Sequence, residues 1–256
     1  MIRLGTITYN IAKDWDLDTL LSTCKEVGLE GVELRTSHAH EVEVALSKEE
    51  RARVKKRFAD SGIVLAGLGS AFDYHTPDAA QLAKNIDDTK AYCVLAADVG
   101  AQGVKVRPNA FPEGVPREKT IEQIGASLRE VGAFAADLGV RIRLEVHGKE
   151  THHPPYIRQM LDVADHDNVY ACWNSNEGDR DESGSIDAYF ALLKDKIDLV
   201  HINRLYSGYP YPRLLELLSR AGYDGFCLAE IPASADAKTV LLYYRMLFET
   251  MRERAT

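Results

Sequence analysis

The chain has 256 residues, is 45% hydrophobic, and carries 31 Lys and Arg against 39 Asp and Glu, for a net charge of −8. This acidic balance argues against a broad basic surface that follows a phosphate backbone, so we predict no nucleic-acid partner. The opening run "IRLGTITY" (2–9) has no charged leader before a long apolar stretch, and no segment has the length needed to cross a bilayer. We therefore expect a soluble, cytoplasmic protein with no membrane partner.

The four cysteines are widely separated, and none belongs to a paired CxxC spacing. Three of them lie inside apolar runs, which is typical of reduced core residues in a cytosolic protein. They are Cys24, Cys93, Cys172 and Cys227.

Short apolar runs rich in β-branched residues recur about every 30 residues, and a helical pattern separates each from the next. We predict strands at 2–9, 31–36, 63–69, 103–108, 140–147, 169–174, 198–203 and 225–230. Eight such units without a break predict an α/β fold, a (β/α)8 TIM barrel forming a single domain over residues 1–256. The alternative, an open doubly wound sheet, lacks support because "TYNIAKDW" after the first strand contains no glycine fingerprint.

The helix boundaries are also readable in the sequence. Ser47 and Glu50 form a candidate capping box, and glycines close several helices directly before a strand, as in "EVGLEGVEL". One apolar helical face is predicted from Leu17, Leu20, Leu21, Cys24 and Val27.

Alternation along each strand predicts which side chains point into the barrel. Burying ionisable groups there costs several kcal/mol each unless they pair or bind something. One interpretation is that Glu33, Arg35, Arg143 and Glu145 neutralise one another; the other is a functional site at the carboxyl ends of the strands. The predicted inward polar residues are Glu33, Arg35, Lys105, Arg107, Arg141, Arg143, Glu145, His147, Cys172, Asn174, Asn176, His201, Asn203 and Glu230.

Four motifs at the ends of the last four strands carry a resemblance to a known family: "LEVHG", "CWNSN", "VHIN" and "LAEI". Over essentially its whole length the sequence resembles the xylose isomerase-like barrels, which comprise sugar and sugar-phosphate isomerases and epimerases and their endonuclease IV relatives. The resemblance implies one divalent metal ion, Mn, Mg or Zn, bound by Glu145, Asn174, His201 and Glu230. Family barrels often pair, so it also implies a homodimer.

Position 174 departs from that family, which has Asp where this chain has Asn174. The amide still offers an oxygen to a hard cation, but the site loses one negative charge, so we expect weaker metal binding. Glu177 stands where the family often has His and either restores the charge or faces solvent. Arg204 stands in place of the usual Asp after the seventh-strand histidine.

The chemistry implied is proton transfer on a small carbohydrate, with or without a phosphate, with Glu145 and Glu230 as the catalytic pair. The sequence "SHAH" (37–40) is interpreted as substrate contact rather than a metal site. The Pro-rich segment 107–116 is interpreted as a lid or as a surface for another subunit. Substrate-binding candidates are Arg35, His38, His40, Lys105, Arg107, His147, Asn176, Asn203 and Arg204.

Three other functions stay open. β-Elimination on a 3-keto sugar or glycoside would use the same glutamates. A silent sugar-binding barrel is consistent with the loss of the family Asp. Endonuclease IV-type DNA repair would need a metal cluster that includes His38, His40 and His75, and the acidic charge disfavours it.

Overall fold

The computed structural model describes residues 1–255, in which eight strands alternate with eight helices. The strands are β1 (Arg3–Ile7), β2 (Gly31–Arg35), β3 (Val64–Asp73), β4 (Gly103–Arg107), β5 (Arg141–Glu145), β6 (Val169–Asn174), β7 (Ile197–Ile202) and β8 (Phe226–Ala229). The helices are α1 (Leu17–Val27), α2 (Lys48–Ser61), α3 (Ala79–Val99), α4 (Arg117–Ala136), α5 (Pro154–Ala164), α6 (Asp187–Leu193), α7 (Tyr211–Arg220) and α8 (Ala237–Arg254).

The strands pair in parallel in chain order, and β8 pairs with β1 to close the barrel. The predicted (β/α)8 TIM barrel is therefore confirmed, and the open doubly wound sheet is wrong. The main difference in boundaries is at β3, which continues to Asp73, beyond the predicted 63–69.

Local signals in the sequence explain where helices begin and end. The Ser47 hydroxyl accepts a hydrogen bond from the Glu50 backbone N–H, and the Glu50 carboxylate accepts one from the Ser47 N–H, as the capping box predicted. Gly28 and Gly100 end α1 and α3 with φ of 80° and 81°, a left-handed conformation that side chains with a Cβ resist.

Two apolar regions fill the molecule. The larger lies between the barrel wall and the helices, where buried Trp173 packs against Phe190 of α6. A smaller cluster formed by alternate strand residues contains Ala66, Cys172, Leu199, Phe226 and Leu228. All four cysteines are buried and free, in agreement with the prediction, and no helix within residues 1–255 is long and apolar enough to span a membrane.

The buried charges pair differently from the predicted interpretation. Arg143 forms an ion pair with Asp198 at 2.6 Å, and its Nη1 donates a hydrogen bond to the Ala66 carbonyl. Arg35 donates instead to the Gly69 carbonyl at 3.4 Å. Glu33, Arg35, Arg143 and Glu145 therefore do not neutralise one another, because each side chain meets a nearer partner on another strand.

Candidate active site

Three side chains of metal-ligand type meet at the carboxyl ends of the strands. Glu145 ends β5, His201 lies in β7 and Glu230 directly follows β8. The Nδ1 atom of His201 is 3.3 Å from Oε1 of Glu145 and 3.8 Å from Oε2 of Glu230. One ligand atom from each residue lies within 4.8 Å of the others, which brings together three of the four predicted ligands.

Asn174 ends β6 and pairs in register with His201. Its Nδ2 donates to Oε1 of Glu145 at 3.3 Å, while its buried Oδ1 has no hydrogen-bond partner. Burying an amide oxygen without a hydrogen-bond partner costs free energy. A bound cation would give this oxygen the partner that the protein does not provide. The amide thus joins the other three groups with its free oxygen available.

Two carboxylates, one imidazole and one amide oxygen form a donor set that suits Mn²⁺, Mg²⁺ or Zn²⁺. The unpartnered Oδ1 of Asn174 is the observation that makes the set fit a cation. Each of these residues ends, or lies next to the end of, its own strand, so the rigid barrel wall holds the donors in place.

A buried lysine contacts this group. Lys105 of β4 donates from Nζ to Oε2 of Glu145 at 2.6 Å, and both side chains are 4% exposed. Burial by itself would raise the pKa of Glu145, but the Lys105 ammonium and His201 outweigh burial and hold this pKa well below its usual range. Burial raises the pKa of Glu230. The two glutamates are therefore in different electrostatic environments.

Behind His201 lies a second carboxylate. Oε1 of Glu33 is 3.3 Å from Nε2 of His201, and both side chains are fully buried. A Cβ at Gly69 would lie 2.6 Å from Oε1 of Glu33, so glycine at this position of β3 makes room for the carboxylate. A carboxylate on the far nitrogen of a histidine fixes the ring orientation and leaves the other nitrogen free for a ligand.

A cavity of about 500 Å³ lies beside the candidate metal ligands, two of which, Asn174 and Glu230, line it. It brings together six of the predicted site residues: His147, Asn174, Asn176, Asn203, Arg204 and Glu230. Sequence reasoning missed seven others, Tyr9, Asn10, Ser175, Arg180, Ser207, Tyr209 and Pro232. Tyr9 and Asn10 follow β1, and the rule that the loops after barrel strands build the site would have found them.

The remaining substrate-binding candidates lie elsewhere. Both ring nitrogens of His40 bind backbone groups, the Arg35 carbonyl and the Val42 N–H, because the ring is buried inside its own loop. This placement differs from the predicted substrate contact. His38 stacks on Tyr9, which lines the cavity.

Arg107 and Lys105 were also predicted to contact substrate. Arg107 donates to the Ala71 carbonyl at 2.9 Å, and its buried Nε has no hydrogen-bond partner. The Lys105 ammonium faces Glu145.

Glu177 does not restore the charge lost at position 174. Its side chain is 97% exposed, and its nearest cationic partner is Arg180 at 3.8 Å. Glu177 begins a short 3-10 helix, Glu177–Asp179, in which Asp179 is buried instead. Of the two alternatives raised by the sequence, the solvent-facing one holds.

The family model for the xylose isomerase-like TIM barrel matches residues 21–247. The chain belongs to this family. The resemblance drawn from the four strand-end motifs is thereby confirmed over most of the chain. No curated protein matches the sequence.

Solved structures share the fold at low identity. An L-ribulose 3-epimerase has a TM-score of 0.84 at 17% identity, and the match covers 100% of this chain and 96% of that one. The 3-keto-D-glucoside 4-epimerase YcjR from E. coli has a TM-score of 0.80 at 17% identity, covering 98% of this chain and 100% of that one. The IolI protein with a bound zinc atom has a TM-score of 0.80 at 15% identity, covering 100% and 99%.

Proposed function

We propose that the protein is a sugar or keto-sugar epimerase or isomerase in which Glu145 and Glu230 transfer a proton through an enediolate. The observation that carries this proposal is the convergence of both glutamates with His201 beside a polar cavity that Glu230 lines. Family membership and the sugar epimerases among the structural neighbours support the same reaction class.

Glu145, Asn174, His201 and Glu230 would hold the divalent ion, which supplies Lewis-acid stabilisation and orients adjacent substrate oxygens. The protein's own groups do the proton transfer. Lys105 keeps Glu145 ionised, so that a carboxylate oxygen is ready to accept a proton from carbon. The raised pKa of Glu230 suits the complementary step, in which its carboxyl group donates its own proton to the enediolate while Glu145 keeps the proton that it accepted.

His147 lines the same cavity and provides a polar contact for the substrate. Burial lowers its pKa, which favours the neutral ring at pH 7, and its buried Nδ1 has no hydrogen-bond partner. A neutral imidazole can donate to, or accept from, a sugar hydroxyl. The substrate proposed for the cavity is a small carbohydrate with a carbonyl beside the carbon that exchanges its proton.

Proton exchange with solvent tests the proposal directly. Ketoses, aldoses and keto-glycosides are incubated in D₂O with Mn²⁺, and deuterium at the carbon beside the carbonyl is measured by NMR. We expect exchange with at least one sugar, reduced about 10²-fold or more in Glu145→Gln and in Glu230→Gln. Glu177→Gln, at the exposed rim of the same cavity, is the matched control and retains the wild-type rate.

Exchange with none of the sugars would overturn the proposal, and sugar binding without exchange would indicate a silent binding barrel. Product mass separates the lyase alternative. An epimer or isomer keeps the mass of the substrate, whereas β-elimination releases water or an aglycone.

A further inference from the structure

An apolar groove lies beside the candidate active site. It has a volume of about 370 Å³, and its apolar lining includes Leu205, Tyr206, Ile231, Val240, Tyr243 and Leu247. Tyr206 is 81% exposed and Tyr243 67% exposed. Large apolar side chains left in water next to one another mark a binding surface more often than isolated ones do.

The groove adjoins the polar cavity. Arg204 and Pro232 line both, so each contributes to the boundary between them. Leu205 and Ile231 directly follow Arg204 and Glu230 along the chain, so the loops that build the active site also build the groove. A ligand bound in the cavity that Glu230 lines therefore has an apolar surface directly beside it.

The helix that forms the far wall is fixed relative to the site. Buried Tyr244 of α8 donates its hydroxyl to the backbone carbonyls of Ile202, at 3.1 Å, and Asn203, at 2.6 Å. These carbonyls belong to the end of the strand that carries His201. The spacing between the polar cavity and the groove is therefore set by hydrogen bonds at the end of β7.

We propose that this groove is a subsite for an apolar aglycone, so that the substrate is a keto-glycoside, with a carbonyl on the sugar ring and an aromatic or alkyl substituent, rather than a free monosaccharide. The inference rests on the proposed function, because it places the sugar ring over Glu145 and Glu230. The size of the groove favours a small group, since a standard protein interface uses roughly 20–30 residues from each partner. The groove has eleven lining residues.

Binding of matched glycosides tests the subsite without requiring turnover. The probes are the methyl and phenyl β-glycosides of D-glucose, D-galactose and D-xylose, with calorimetry as the readout on the full chain loaded with Mn²⁺. For at least one sugar we expect the phenyl glycoside to bind about tenfold or more tightly than the methyl glycoside, because its ring leaves water for an apolar surface.

Two variants locate the effect. Tyr243→Ala should remove most of the preference for phenyl while leaving the affinity for the methyl glycoside unchanged. Leu242→Ala is the matched control, because Leu242 is a neighbouring exposed residue on α8 that does not line the groove. The preference should survive in that variant.

Equal affinity for the methyl and phenyl glycosides of every sugar, or absence of binding by all of them, would overturn the subsite. The subsite would also be overturned if light scattering showed a dimer that Tyr243→Ala converts to a monomer, with the phenyl preference unchanged. A second copy of the chain would then cover the groove. A phenyl preference without deuterium exchange would contradict the proposed function and not the subsite. Deuterium exchange without a phenyl preference would contradict the subsite and not the proposed function.

Discussion

Asn174 places an uncharged oxygen among two carboxylates and an imidazole, and that single residue sets the charge of the proposed metal centre. An aspartate there would add a negative charge within the same buried group. The amide keeps a donor atom for a cation but gives up part of the electrostatic attraction.

We expect Asn174→Asp to tighten Mn²⁺ binding about tenfold or more, because a carboxylate attracts the ion more strongly than an amide oxygen. Calorimetric titration of the protein with Mn²⁺ measures the change. Asn10→Asp adds the same charge at the wall of the cavity, outside the donor group, and should shift the affinity much less. Equal gains in the two variants would mean that Asn174 is not a ligand.

Lys105 and Glu145 form a buried ion pair, and removing one partner leaves the other charge uncompensated. Lys105→Met should lower the free energy of unfolding of the metal-free protein by about 3–5 kcal/mol, with part of the loss recovered when Mn²⁺ is added. Urea unfolding with and without Mn²⁺ measures both effects.

The control for Lys105→Met is Lys90→Met, which breaks the more exposed pair of Lys90 with Glu130. Surface pairs of this kind contribute about 1 kcal/mol or less, and the addition of Mn²⁺ should not change that loss. A Lys105→Met variant as stable as the wild type would show that the pair does not hold the floor of the site.

At the scale of elements, backbone strain concentrates in the loops that follow the strands. Residues other than glycine with positive φ are Asn10, Ser37, Glu41, Asn109 and Glu150 in these loops, and Asp165 at the end of α5. Such conformations cost about 1–3 kcal/mol each and persist where surrounding contacts impose them. The strained loops and the cavity therefore lie at the same end of the barrel.

The segment after β6 is held by a buried carboxyl group. Asp179 accepts hydrogen bonds from the Asn176 N–H and the Tyr209 hydroxyl, yet burial raises its pKa well above the ordinary value. When the native pKa is raised, the unfolded chain loses its proton first as the pH increases. Stability from this group is then present below about pH 4 and falls as the pH rises toward the native pKa.

We therefore expect Asp179→Asn to gain stability relative to the wild type as the pH increases above about 4. Urea unfolding between pH 3.5 and 8 measures the difference. Asp181→Asn should show no such gain above about pH 5, because hydrogen bonds from Ser183 and Ser185 lower the pKa of half-buried Asp181, which is then ionised in both the folded and the unfolded chain. A pH-independent difference for Asp179→Asn would mean that Asp179 is ionised in the native protein.

At the scale of the whole molecule, charge and geometry together disfavour nucleic acid as a substrate. The net charge is −8. Within residues 1–255, one group of His, Cys, Asp or Glu side chains is close enough to hold a metal ion, and it consists of Glu145, His201 and Glu230. Of the histidines that a multimetal cluster would need, His40 binds backbone and His75 pairs with Asp73 at 2.9 Å.

We expect no cleavage of a duplex containing an abasic site, with Mn²⁺ or Zn²⁺ present, and no saturable binding of the duplex at physiological salt. A gel cleavage assay and fluorescence anisotropy measure the two outcomes. Metal-dependent incision at the abasic site would contradict both the charge argument and the single-ion centre.

The sequence by itself determined the barrel, because hydrophobic period, capping residues and helix-ending glycines are local properties that repeat eight times. Strand alternation likewise indicated Glu145, His201 and Glu230, since parallel strands that end in polar residues bring them to one rim. The partners of buried charges were decided by tertiary structure. Lys105 forms an ion pair with Glu145, and Arg143 forms one with Asp198, because strand register and side-chain length determine these contacts.

The cavity walls also depended on the tertiary structure. Tyr9 and the apolar groove near Tyr243 come from segments more than 200 residues apart, and no local pattern relates them. Closure of the barrel between β1 and β8 brings those segments to the same end of the molecule. The sequence thus determined which residues end the strands, and the closed barrel decided which of them face one another.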